Sequence, residues 1–397
     1  MNVFVVPSWY PEPRHHLLGG VFLEQAVATL ARHHPEVHQF VSLWGQGDRE
    51  LSLARLRAWL AHPHGLGRPR PPRRQTRANL VELYAPEWSW RHGLWRGHVD
   101  AILRRCRFHL EQARSECDRI QLLHAHVSFP AGWVAMRLSE ETGIPYLVTE
   151  HMSPFPFRHL MRGGEVVPEV AEPLRRAHRV TAVSRSLARQ IRERVGVEAV
   201  VVPNGVDEDL FTPGPARGDG FTFLTVAGLE PQKGIDDLLR AIARLGELPG
   251  VRFRIAGSGS RARAYRALAA RLGVSRRLAW LGPLAPGAVR DEMRACDAFV
   301  LTSRHESFGV VFAEAIACGK PVLATRCGGP EDIVHEDNGL LVAVGDIAAI
   351  AAALGRLARR ERVFDARAIR ADFAARFGSR VVADRFAALY REMAGAA

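Results

Sequence analysis

Two glutamates separated by seven residues stand where the sequence is best suited to chemistry. Glu306 begins the stretch Glu-Ser-Phe-Gly-Val-Val-Phe-Ala-Glu and Glu314 ends it. Helical phase after Gly309 predicts Glu314 in the second turn of a helix and Glu306 in the preceding loop. The amides of Phe308, Gly309 and Val310 would then be unpaired donors at a helix N-terminus, which suits an anion. Carboxylates on either side suit hydroxyl groups. We therefore expect a ligand that carries hydroxyls on both sides of a diphosphate, as a nucleotide sugar does.

The surroundings of Glu314 predict that its helix is largely buried. The residues between the two glutamates are apolar apart from Ser307, and Ala315 to Cys318 continue the apolar pattern. Burying an unpaired carboxylate is costly, so we expect Glu314 to meet a partner or a ligand. The alternative is a helix with one solvated and one capping glutamate, because this spacing also arises by chance.

A lysine loop supplies the positive charge that the two glutamates lack. Ala227-Gly-Leu-Glu-Pro-Gln-Lys-Gly234 follows a predicted strand at 221–226. Its glycines allow close approach of the backbone, and Lys233 precedes a helix, where it would neutralise a departing diphosphate. Only Lys233 and Lys320 are lysine among the 54 basic residues, which draws attention to Lys233. The order of a Walker A loop is absent, and the alternative is a tight turn with an exposed lysine.

Three further motifs carry weaker signals. Gly19-Gly20 precedes the first predicted helix, either as a second anion-binding N-terminus or as a packing-driven turn. His124-Ala-His126 places two imidazoles on one face of a strand end, and without a third ligand nearby we expect a histidine reaching into a cleft. Asp207-Glu-Asp209 has a metal-binding spacing, but its position near a linker favours a cap or linker contact. We assign no metal.

Composition indicates a globular protein of two domains in a reducing compartment. The chain has 397 residues, of which 47% are hydrophobic, and this length suits two cores. We find no apolar run near 18 residues, and the first residues lack the basic region of a signal peptide. The five cysteines are odd in number and have no CxxC spacing. We therefore expect a reduced cytoplasmic setting without a structural metal.

The net charge of +12 divides evenly between the two halves of the chain, but within the first half the positive charge is concentrated in one region. Residues 55–107 hold twelve arginines against three acidic residues, together with Trp59, Trp88, Trp90 and Trp95. Arginine with interleaved tryptophan suits an anionic membrane surface. We expect no nucleic acid, because no nucleic-acid module accompanies the patch. The alternative is a solvated, loosely ordered insertion, since residues 62–77 are rich in Pro, Gly and Arg.

Strands alternate with helices in both halves of the chain, which predicts an α/β fold with parallel sheets. Predicted strands of the first half lie at 2–7, 37–44, 120–123, 146–149, 180–183 and 200–202. A linker at 208–219 precedes a second series at 221–226, 252–256, 278–281, 298–301, 322–324 and 340–342. Ligand loops belong at the carboxyl ends of such strands, and we expect a cleft between the halves. A last helix is predicted at 379–393.

Taken together, these motifs resemble the retaining glycosyltransferases of the GT-B group called family 4, or glycosyltransferase group 1. The resemblance covers nearly the whole chain, and its specific part runs from Ser303 to Gly329. Its supporting parts are Pro7-Ser-Trp-Tyr-Pro, Gly19-Gly20-Val-Phe, His124-Ala-His126, Thr181–Leu187, Val202-Pro-Asn-Gly-Val-Asp207 with Phe211, the lysine loop, and Cys327-Gly-Gly-Pro-Glu331.

The resemblance implies a GT-B fold of two Rossmann-like domains whose parallel sheets face an interdomain cleft. Residues 1–208 would form the acceptor-binding domain and 209–378 the nucleotide-sugar-binding domain. Residues 379–397 would form a helix that crosses back to the first domain.

The resemblance also implies roles for individual residues. His126, Lys233 and Glu306 would be catalytic, with Glu306 on sugar hydroxyls and Glu314 on ribose hydroxyls. His151 and Asn204 would lie on the acceptor side. The implied donor-binding set is Gly19, Gly20, Lys233, Glu306, Ser307, Phe308, Gly309, Val310 and Glu314.

One departure from the family pattern concerns the second cation of the diphosphate site. Family members often have an arginine five residues before the lysine, and here that position is Gly228. Losing one preorganised donor lowers the rate by about 10²–10³. Arg304 and Arg326, which are near the same loops in sequence, are candidate substitutes.

We therefore expect a metal-independent, retaining hexosyltransferase that moves a sugar from a nucleoside diphosphate sugar to a hydroxyl acceptor. UDP-sugar is the first choice of donor and GDP-sugar the second, and the acceptor class includes lipid-linked and cell-envelope glycans. We expect a cytoplasmic protein, peripheral on the inner face of the membrane if residues 55–107 bind it. The alternatives are a GT-B nucleotide-sugar epimerase or phosphorylase, and an impaired transferase that only binds nucleotide sugar or polyanion.

Overall fold

The computed structural model describes residues 1–11, 20–45, 49–51, 71–86, 88–90, 99–215, 218, 220–246 and 248–395. The chain divides into two compact units. The first unit comprises 1–183, 187–205 and 382–397, and the second comprises 184–186 and 206–381. The chain therefore leaves the first unit after Gly205 and returns to it at Val382.

The first unit alternates strands with helices, as the sequence predicts. Its strands are β1 (Asn2–Pro7), β2 (His38–Leu43), β3 (Arg49–Leu51), β4 (Arg73–Arg77), β5 (Leu80–Tyr84), β6 (Trp88–Trp90), β7 (Leu122–His126), β8 (Tyr146–Glu150), β9 (Met161–Arg162), β10 (Glu165–Val166), β11 (Arg179–Ala182) and β12 (Val200–Val201). Its helices are α1 (Val21–His33), α2 (Val99–Ser115), α3 (Trp133–Thr142), α4 (Pro168–Arg175) and α5 (Arg185–Val195). Short helical turns lie at Ser128–Gly132 and Arg158–Leu160.

An eight-stranded sheet organises the first unit, in the order β12-β11-β8-β7-β1-β2-β5-β4. Every neighbouring pair is parallel except β4 with β5. The direction of winding reverses between β1 and β7, because the chain continues to one side through β2 and to the other through β8. In open parallel sheets ligands bind outside the carboxyl ends of the strands at such a switch point. In this unit those ends are Pro7 and His126.

The arginine-rich region, residues 55–107, contains strands that were not predicted from the sequence. The wholly buried β5 (Leu80–Tyr84) extends the sheet beside β2, and the wholly exposed β4 (Arg73–Arg77) forms its antiparallel edge. Part of the stretch interpreted as a loose insertion is therefore an edge strand, where arginine keeps the edge polar. The short apolar run of β5, interrupted only by Glu82, was a usable signal that the surrounding arginines obscured. Trp59 and Trp95 lie outside the described residues.

The second unit also alternates strands with helices, and its described residues contain fewer additional strands. Its strands are β13 (Phe221–Val226), β14 (Val251–Ala256), β15 (Leu278–Gly282), β16 (Ala298–Leu301), β17 (Val322–Thr325) and β18 (Gly339–Val342). Its helices are α6 (Ile235–Arg244), α7 (Ala262–Arg271), α8 (Pro286–Ala295), α9 (Val310–Ala317), α10 (Pro330–Ile333), α11 (Ile347–Ala358) and α12 (Ala366–Phe377), with short turns at Pro231–Lys233 and Ser275–Arg277. The six predicted strands are confirmed to within a residue or two at their ends.

The sheet of the second unit is parallel throughout, in the order β15-β14-β13-β16-β17-β18. This is the Rossmann order, with its switch point between β13 and β16. The loop after β13 contains Lys233, and the loop after β16 contains Glu306. The strand order therefore brings the two candidate loops to one edge of one sheet, a juxtaposition that sequence spacing alone does not show.

The last helix, α13 (Ser379–Gly395), packs into the core of the first unit. Its apolar residues join a cluster that includes Val3, Val5 and Leu147 of the sheet. The helix residues in this cluster are Val382, Ala383, Phe386, Ala387, Tyr390 and Met393.

The acidic motif at 207–209 makes backbone contacts. Asp207 Oδ1 accepts hydrogen bonds from the amides of Asp209 at 2.9 Å and Leu210 at 3.1 Å. Glu208 accepts from the amide of Ser379, at 2.6 Å, and from the hydroxyl of Ser379 at the start of α13. The prediction that this motif makes a cap or linker contact is thus confirmed. No helix in the described part of the chain has the length and apolarity needed to cross a membrane.

Candidate functional site

The two candidate loops of the second unit are joined by backbone contacts. Gly234 adopts a left-handed conformation with φ of 62°, and a Cβ there would lie 1.9 Å from the carbonyl oxygen of Thr302. The Thr302 hydroxyl donates to the Gly234 carbonyl at 2.8 Å, and the Arg304 amide donates to the Gln232 carbonyl at 2.8 Å. Only glycine permits this approach. The contacts hold the lysine loop against the loop that contains Glu306.

Lys233 and Glu306 form an ion pair at the centre of this arrangement. Lys233 Nζ lies 2.7 Å from Glu306 Oε1, and the hydroxyl of Ser303 donates to the same oxygen at 2.7 Å. Glu306 and Ser303 are buried, while the Lys233 side chain keeps 25% of its exposure. Among the described residues, none bonds to Glu306 Oε2. One carboxylate oxygen is therefore held by two donors, and the other remains able to accept from a hydroxyl group.

A glycine-rich stretch allows close packing around Glu306. The Glu306 amide donates to the Cys327 carbonyl at 3.2 Å, and the Gly329 amide donates to the Glu306 carbonyl at 2.8 Å. A Cβ at Gly329 would lie 2.3 Å from the Cα of Phe308. This close packing is the physical reason for glycine at Gly328 and Gly329, which the sequence indicated only through the family resemblance.

The predicted helix N-terminus follows at once. Gly309 has a φ of 87° and precedes α9, which begins at Val310. Because α9 starts there, its first amides have no carbonyl acceptor within the helix. No described residue accepts a hydrogen bond from the amide of Gly309 or Val310. The prediction that Glu306 precedes the helix and Glu314 lies within it is confirmed.

Glu314 is half-buried on α9, and its environment opposes ionisation. Burial raises the pKa of Glu314 from 4.5 to about 7. No described side chain offers it a hydrogen bond or an ion pair. A carboxyl group in this position fits the expectation that it needs a ligand, since hydroxyl donors would offset the cost of burying its charge.

Arg304 and Arg326, the candidates for a second cation at the diphosphate site, lie in different environments. The Arg304 guanidinium binds the carboxylates of Asp236 and Asp237, at 2.9 Å and 2.7 Å. The hydrogen bond to Asp236 raises the pKa of the Arg304 guanidinium above its ordinary value. Arg326 is exposed, and so is Gly228, where an added Cβ would have no atom within 4 Å. Arg304 is therefore committed to the start of α6, and space for a larger side chain exists at position 228.

The first unit presents its own loops at its switch point. Gly20, with φ of 83°, starts α1, and a Cβ there would lie 2.6 Å from the Tyr10 nitrogen. The start of this helix is therefore pressed against the segment that follows β1. The Ser8 amide donates to the His126 carbonyl at 3.2 Å, which joins the same segment to the end of β7. Gly19 lies outside the described residues.

Three histidines cluster at this edge. The rings of His124 and His126 are 4.0 Å apart between centroids, which confirms that they share one face. His126 Nδ1 lies 3.1 Å from His151 Nε2. Burial lowers the pKa of His124 and of His151 to about 3, and that of His126 well below its ordinary value. The cluster is therefore neutral at physiological pH.

His124 belongs to the core, so of the two histidines only His126 remains a candidate for the expected strand-end histidine. Its Nδ1 lies 2.6 Å from the hydroxyl of Tyr390 on α13, and its Nε2 lies 2.7 Å from the hydroxyl of Thr149. The Thr149 hydroxyl in turn lies 2.7 Å from that of Thr181. Sequence spacing could not show this, because the partners of His124 come from distant elements.

Glu150 is a site-shaping residue that the sequence analysis did not single out. It is fully buried at the end of β8, and its carboxylate accepts from the amides of Ser128, His151 and Met152 at 2.7–3.0 Å. Burial raises the pKa of Glu150, although these hydrogen bonds favour its charged form. The carboxylate thereby fixes the backbone that carries His151. Its position directly after a predicted strand was the available signal.

The remaining predicted residues are less closely connected. Asn204 is half-buried after β12, and no described hydrogen bond joins it to His151.

Within the described ranges, no group of three or more His, Cys, Asp or Glu side chains has a geometry that could hold a metal ion. All five cysteines are free thiols.

Comparison with known proteins matches both halves of the chain to family models. Residues 206–373 match the model of glycosyl transferases group 1, and residues 23–210 match the model of glycosyltransferase family 4. A D-inositol 3-phosphate glycosyltransferase of Stackebrandtia nassauensis is 30% identical over 326 residues, covering 72% of this chain and 71% of the relative. Its counterpart in Geodermatophilus obscurus is 33% identical over 290 residues, covering 63% and 62%. The alignments to three curated relatives span only 62–63% of each relative's length.

Solved structures show the same fold at low identity. Sucrose-phosphate synthase from Thermosynechococcus elongatus superposes with a TM-score of 0.74 at 20% identity over the whole of both chains. Anabaena HepE in complex with UDP and glucose superposes with a TM-score of 0.70 at 19% identity, covering 99% of this chain and 100% of that one.

The strand order, the paired loops and these matches define a class of protein: a GT-B fold with a Rossmann-like sheet in each unit. The chain belongs to the group 1, family 4 glycosyltransferases.

Proposed function

We propose that this protein is a retaining glycosyltransferase that moves a sugar from a nucleoside diphosphate sugar to a hydroxyl acceptor. The observation that carries this proposal is the cluster of Lys233, Glu306 and Ser303 beside the N-terminus of α9. It combines a cation, an anion-binding helix end and an oriented carboxylate at one switch point. A diphosphate flanked by hydroxyls satisfies all three.

Each group of this cluster has a distinct role in the proposal. Lys233 and the amides of Gly309 and Val310 bind the diphosphate and stabilise the charge that develops as it leaves. Glu306, held at Oε1, accepts from a hydroxyl of the sugar through Oε2. Glu314 accepts from the ribose hydroxyls, which favours its ionised form despite burial.

The proposed reaction retains configuration without a protein nucleophile. The bond from the anomeric carbon to the β-phosphate oxygen breaks, and a bond to the acceptor oxygen forms on the same face. The acceptor proton passes to the departing phosphate. The transition state resembles an oxocarbenium ion, and no step in this scheme uses a metal. His126, neutral at physiological pH, is proposed to lie beside the donor sugar.

We propose UDP-sugar as the donor and GDP-sugar as the second choice. The support for uridine is that the similarly folded HepE was solved with UDP, with UDP and glucose, and with UDP-glucose. Thermal shift with UDP, GDP, ADP and CDP at equal concentration tests the choice, because a ligand that binds the folded state raises the melting temperature. A larger shift with GDP than with UDP would reverse the order.

For the acceptor we propose a hydroxyl on a carbohydrate or cyclitol, within a lipid-linked or cell-envelope glycan. Relatives named D-inositol 3-phosphate glycosyltransferases support a ring polyol in that role. A peripheral position at an anionic membrane remains part of the proposal. Its described support is limited to the exposed arginines of β4.

Substitution of Lys233 tests the catalytic proposal. Because Glu306 is buried against it, we choose Lys233→Gln, which can still donate a hydrogen bond but carries no charge. Nucleotide release from UDP-sugars with acceptor should fall by about 10²–10³, while the melting temperature changes little. Arg276→Ala, which removes an exposed cation before β15 at the amino edge of the same sheet, should keep wild-type turnover.

Other outcomes would point to other functions. Near wild-type turnover of Lys233→Gln would refute the role of the lysine. Donor consumption that yields an isomerised nucleotide sugar, or that requires free phosphate, would indicate an epimerase or a phosphorylase. Nucleotide binding without turnover in the wild type would indicate a binding protein.

A further inference from the structure

Two aromatic side chains stay half-exposed at the switch point of the first unit. Trp9 follows the end of β1 and Phe157 follows β8, so both lie outside the carboxyl ends of the sheet. Their ring centroids are 6.1 Å apart and the planes are inclined by 58°. Neither the proposed donor site nor the histidine cluster uses them.

The backbone that carries Trp9 is fixed on both sides. Ser8 is buried, its amide donates to the His126 carbonyl at 3.2 Å, and its hydroxyl accepts from the Ala131 amide at 3.1 Å. Tyr10 is buried and its hydroxyl donates to Glu82 at 2.8 Å. Trp9 is therefore held between two buried residues, and its own side chain stays half-exposed.

Phe157 is presented in the same way on a second loop. Phe155 and Leu160 are buried on either side of it, and its carbonyl accepts from the Leu160 amide at 2.8 Å. The Val167 amide donates to the Leu160 carbonyl at 3.1 Å, which ties the β9–β10 hairpin to this turn. The ring of His159 stacks on Phe157 with centroids 5.8 Å apart and planes inclined by 12°.

The chemistry of this pair is amphipathic. No described residue accepts a hydrogen bond from the indole nitrogen of Trp9, so a ligand there would meet an aromatic face and a polar donor together. Apart from Pro154, the exposed residues of the segment 151–160 are polar: Ser153, Arg158 and His159. A lipid chain would need a continuous apolar patch, whereas a pyranose or cyclitol ring has an apolar C–H face and hydroxyls at its rim.

We propose that Trp9 and Phe157 form an aromatic shelf that binds a carbohydrate or cyclitol ring of the acceptor. The identity of this ring as the acceptor rests on the proposed function, but the binding itself requires no catalysis. The ring stacks on the shelf, and one of its hydroxyls accepts from the Trp9 indole N–H. Trp9 follows Ser8, whose amide donates to the His126 carbonyl, so the shelf lies at the same strand ends as the histidine proposed for the donor sugar.

Indole resonances of tryptophan test the shelf directly. The chain has eight tryptophans, so indole-labelled protein gives a small set of resonances, and Trp9→Phe identifies that of Trp9. The probes are methyl α-glucopyranoside, methyl α-mannopyranoside, methyl β-galactopyranoside and myo-inositol, with cyclohexanol as an apolar control. We expect at least one polyol, but not cyclohexanol, to shift the Trp9 resonance saturably.

Substitutions at Phe157 provide the matched comparison. Phe157→Ala should weaken the binding of that polyol about fivefold, the effect of losing roughly 1 kcal/mol of aromatic contact, and Phe157→Tyr should retain it. The shelf is overturned if no polyol moves the Trp9 resonance, if cyclohexanol moves it equally, or if Phe157→Ala binds as the wild type does. A parallel titration of the wild-type protein with UDP separates the two proposals. A wild-type protein that does not bind UDP would refute the proposed donor site, but it would not change the result for the shelf.

Discussion

At the scale of single residues, the candidate donor site depends on carboxylates in different electrostatic settings. Glu306 is buried but has a lysine and a serine on one oxygen. Glu314 has no described partner, and burial raises its pKa to about 7. The first carboxylate is preorganised by the protein, whereas the second depends on a ligand for the donors that its burial removes.

Glu314 should make stability depend on pH in a recognisable direction. Between pH 4.5 and about 7 the folded protein keeps a proton on Glu314 that the unfolded chain releases. Its contribution is therefore most favourable below pH 4.5 and is lost as pH rises through about 7. Glu314→Gln should be as stable as the wild type at low pH and more stable above pH 7, by on the order of 1–3 kcal/mol. Urea denaturation of both proteins across this range measures the difference.

The exposed Glu336 supplies the control for this experiment. Glu336→Gln should differ from the wild type by a small amount that does not change with pH. A Glu314→Gln difference that is equally flat would show that Glu314 ionises normally in the folded protein.

The resemblance implies an arginine at the position of Gly228, and adding that cation is expected to strengthen donor binding. Arg304 is held by Asp236 and Asp237, so we do not expect it to replace the absent arginine. Gly228→Arg should lower the Kd for UDP about tenfold, since a charged hydrogen bond contributes roughly 1.5–3 kcal/mol. Isothermal titration gives the affinity. Gly228→Gln is the uncharged control, and equal affinities of the two variants would indicate that another group already supplies the charge.

At the scale of elements, glycine recurs at the starts of the helices that face the switch points. Gly20, Gly234 and Gly309 each precede a helix in a left-handed conformation. A Cβ at Gly20 or Gly234 would meet backbone atoms, and one at Gly309 would meet the Phe312 ring. These glycines let each helix begin against a neighbouring segment, which leaves its first amides at the strand ends where ligands bind.

The start of α13 has a different device, a carboxylate cap supplied by Glu208. Burial opposes its charge, but hydrogen bonds from Ser379 and Arg380 outweigh burial and lower the pKa of Glu208. Glu208→Ala should reduce the free energy of unfolding by about 1–2 kcal/mol, because the helix loses its cap. Chemical denaturation at pH 7 measures the loss.

The pH dependence of this effect distinguishes a cap from a packing contact. A lowered pKa means that the stabilisation is present above the ordinary pKa of 4.5 and disappears as pH falls below it. The control is Glu198→Ala, which removes an exposed ion pair whose Arg192 nitrogen and Glu198 oxygen are 3.8 Å apart. This variant should change the free energy of unfolding by only a few tenths of a kcal/mol. A Glu208→Ala effect that is constant down to pH 3 would contradict the capping role.

At the scale of the whole molecule, buried neutral histidines should make the protein sensitive to acid. Burial lowers the pKa of His109 and His124 to about 3, as it does for His151. The unfolded chain takes up these protons at about pH 6.5, so stability is full above that pH and declines as pH falls towards 3. Glu314 and Glu150, whose pKa values burial raises, act in the opposite direction.

His126→Asn tests this balance within the histidine cluster. The variant should take up about one proton fewer on unfolding between pH 6 and 4, which reduces the slope of stability against pH by about 1.4 kcal/mol per unit. His159→Asn, at an exposed histidine of the same unit, should leave the slope unchanged. Equal slopes in the wild type and His126→Asn would mean that His126 titrates normally in the folded state.

Much of this protein could be predicted from the sequence alone, because local chemistry determines it. The alternation of apolar strands and helices predicted a parallel sheet for each half, and the order of motifs predicted the family. The phase of α9 placed Glu306 before the helix and Glu314 within it, since helical periodicity needs only the residues of one segment. The contacts of Asp207 with the amides of Asp209 and Leu210 are also local, whereas the cap that Glu208 provides to Ser379 joins residues far apart in the chain.

Only the tertiary structure decided which groups meet. Lys233 reaches Glu306 from the loop of another strand, Tyr390 reaches His124 from the far end of the chain, and Trp9 meets Phe157 across two strand connections. Sequence spacing carries no information about such pairs, because strand order sets the distance between loops. The same order turned His124 into a core residue and left His126 at the strand end. The sequence determined the chemical groups and their elements, and the winding of each sheet about its switch point decided their partners.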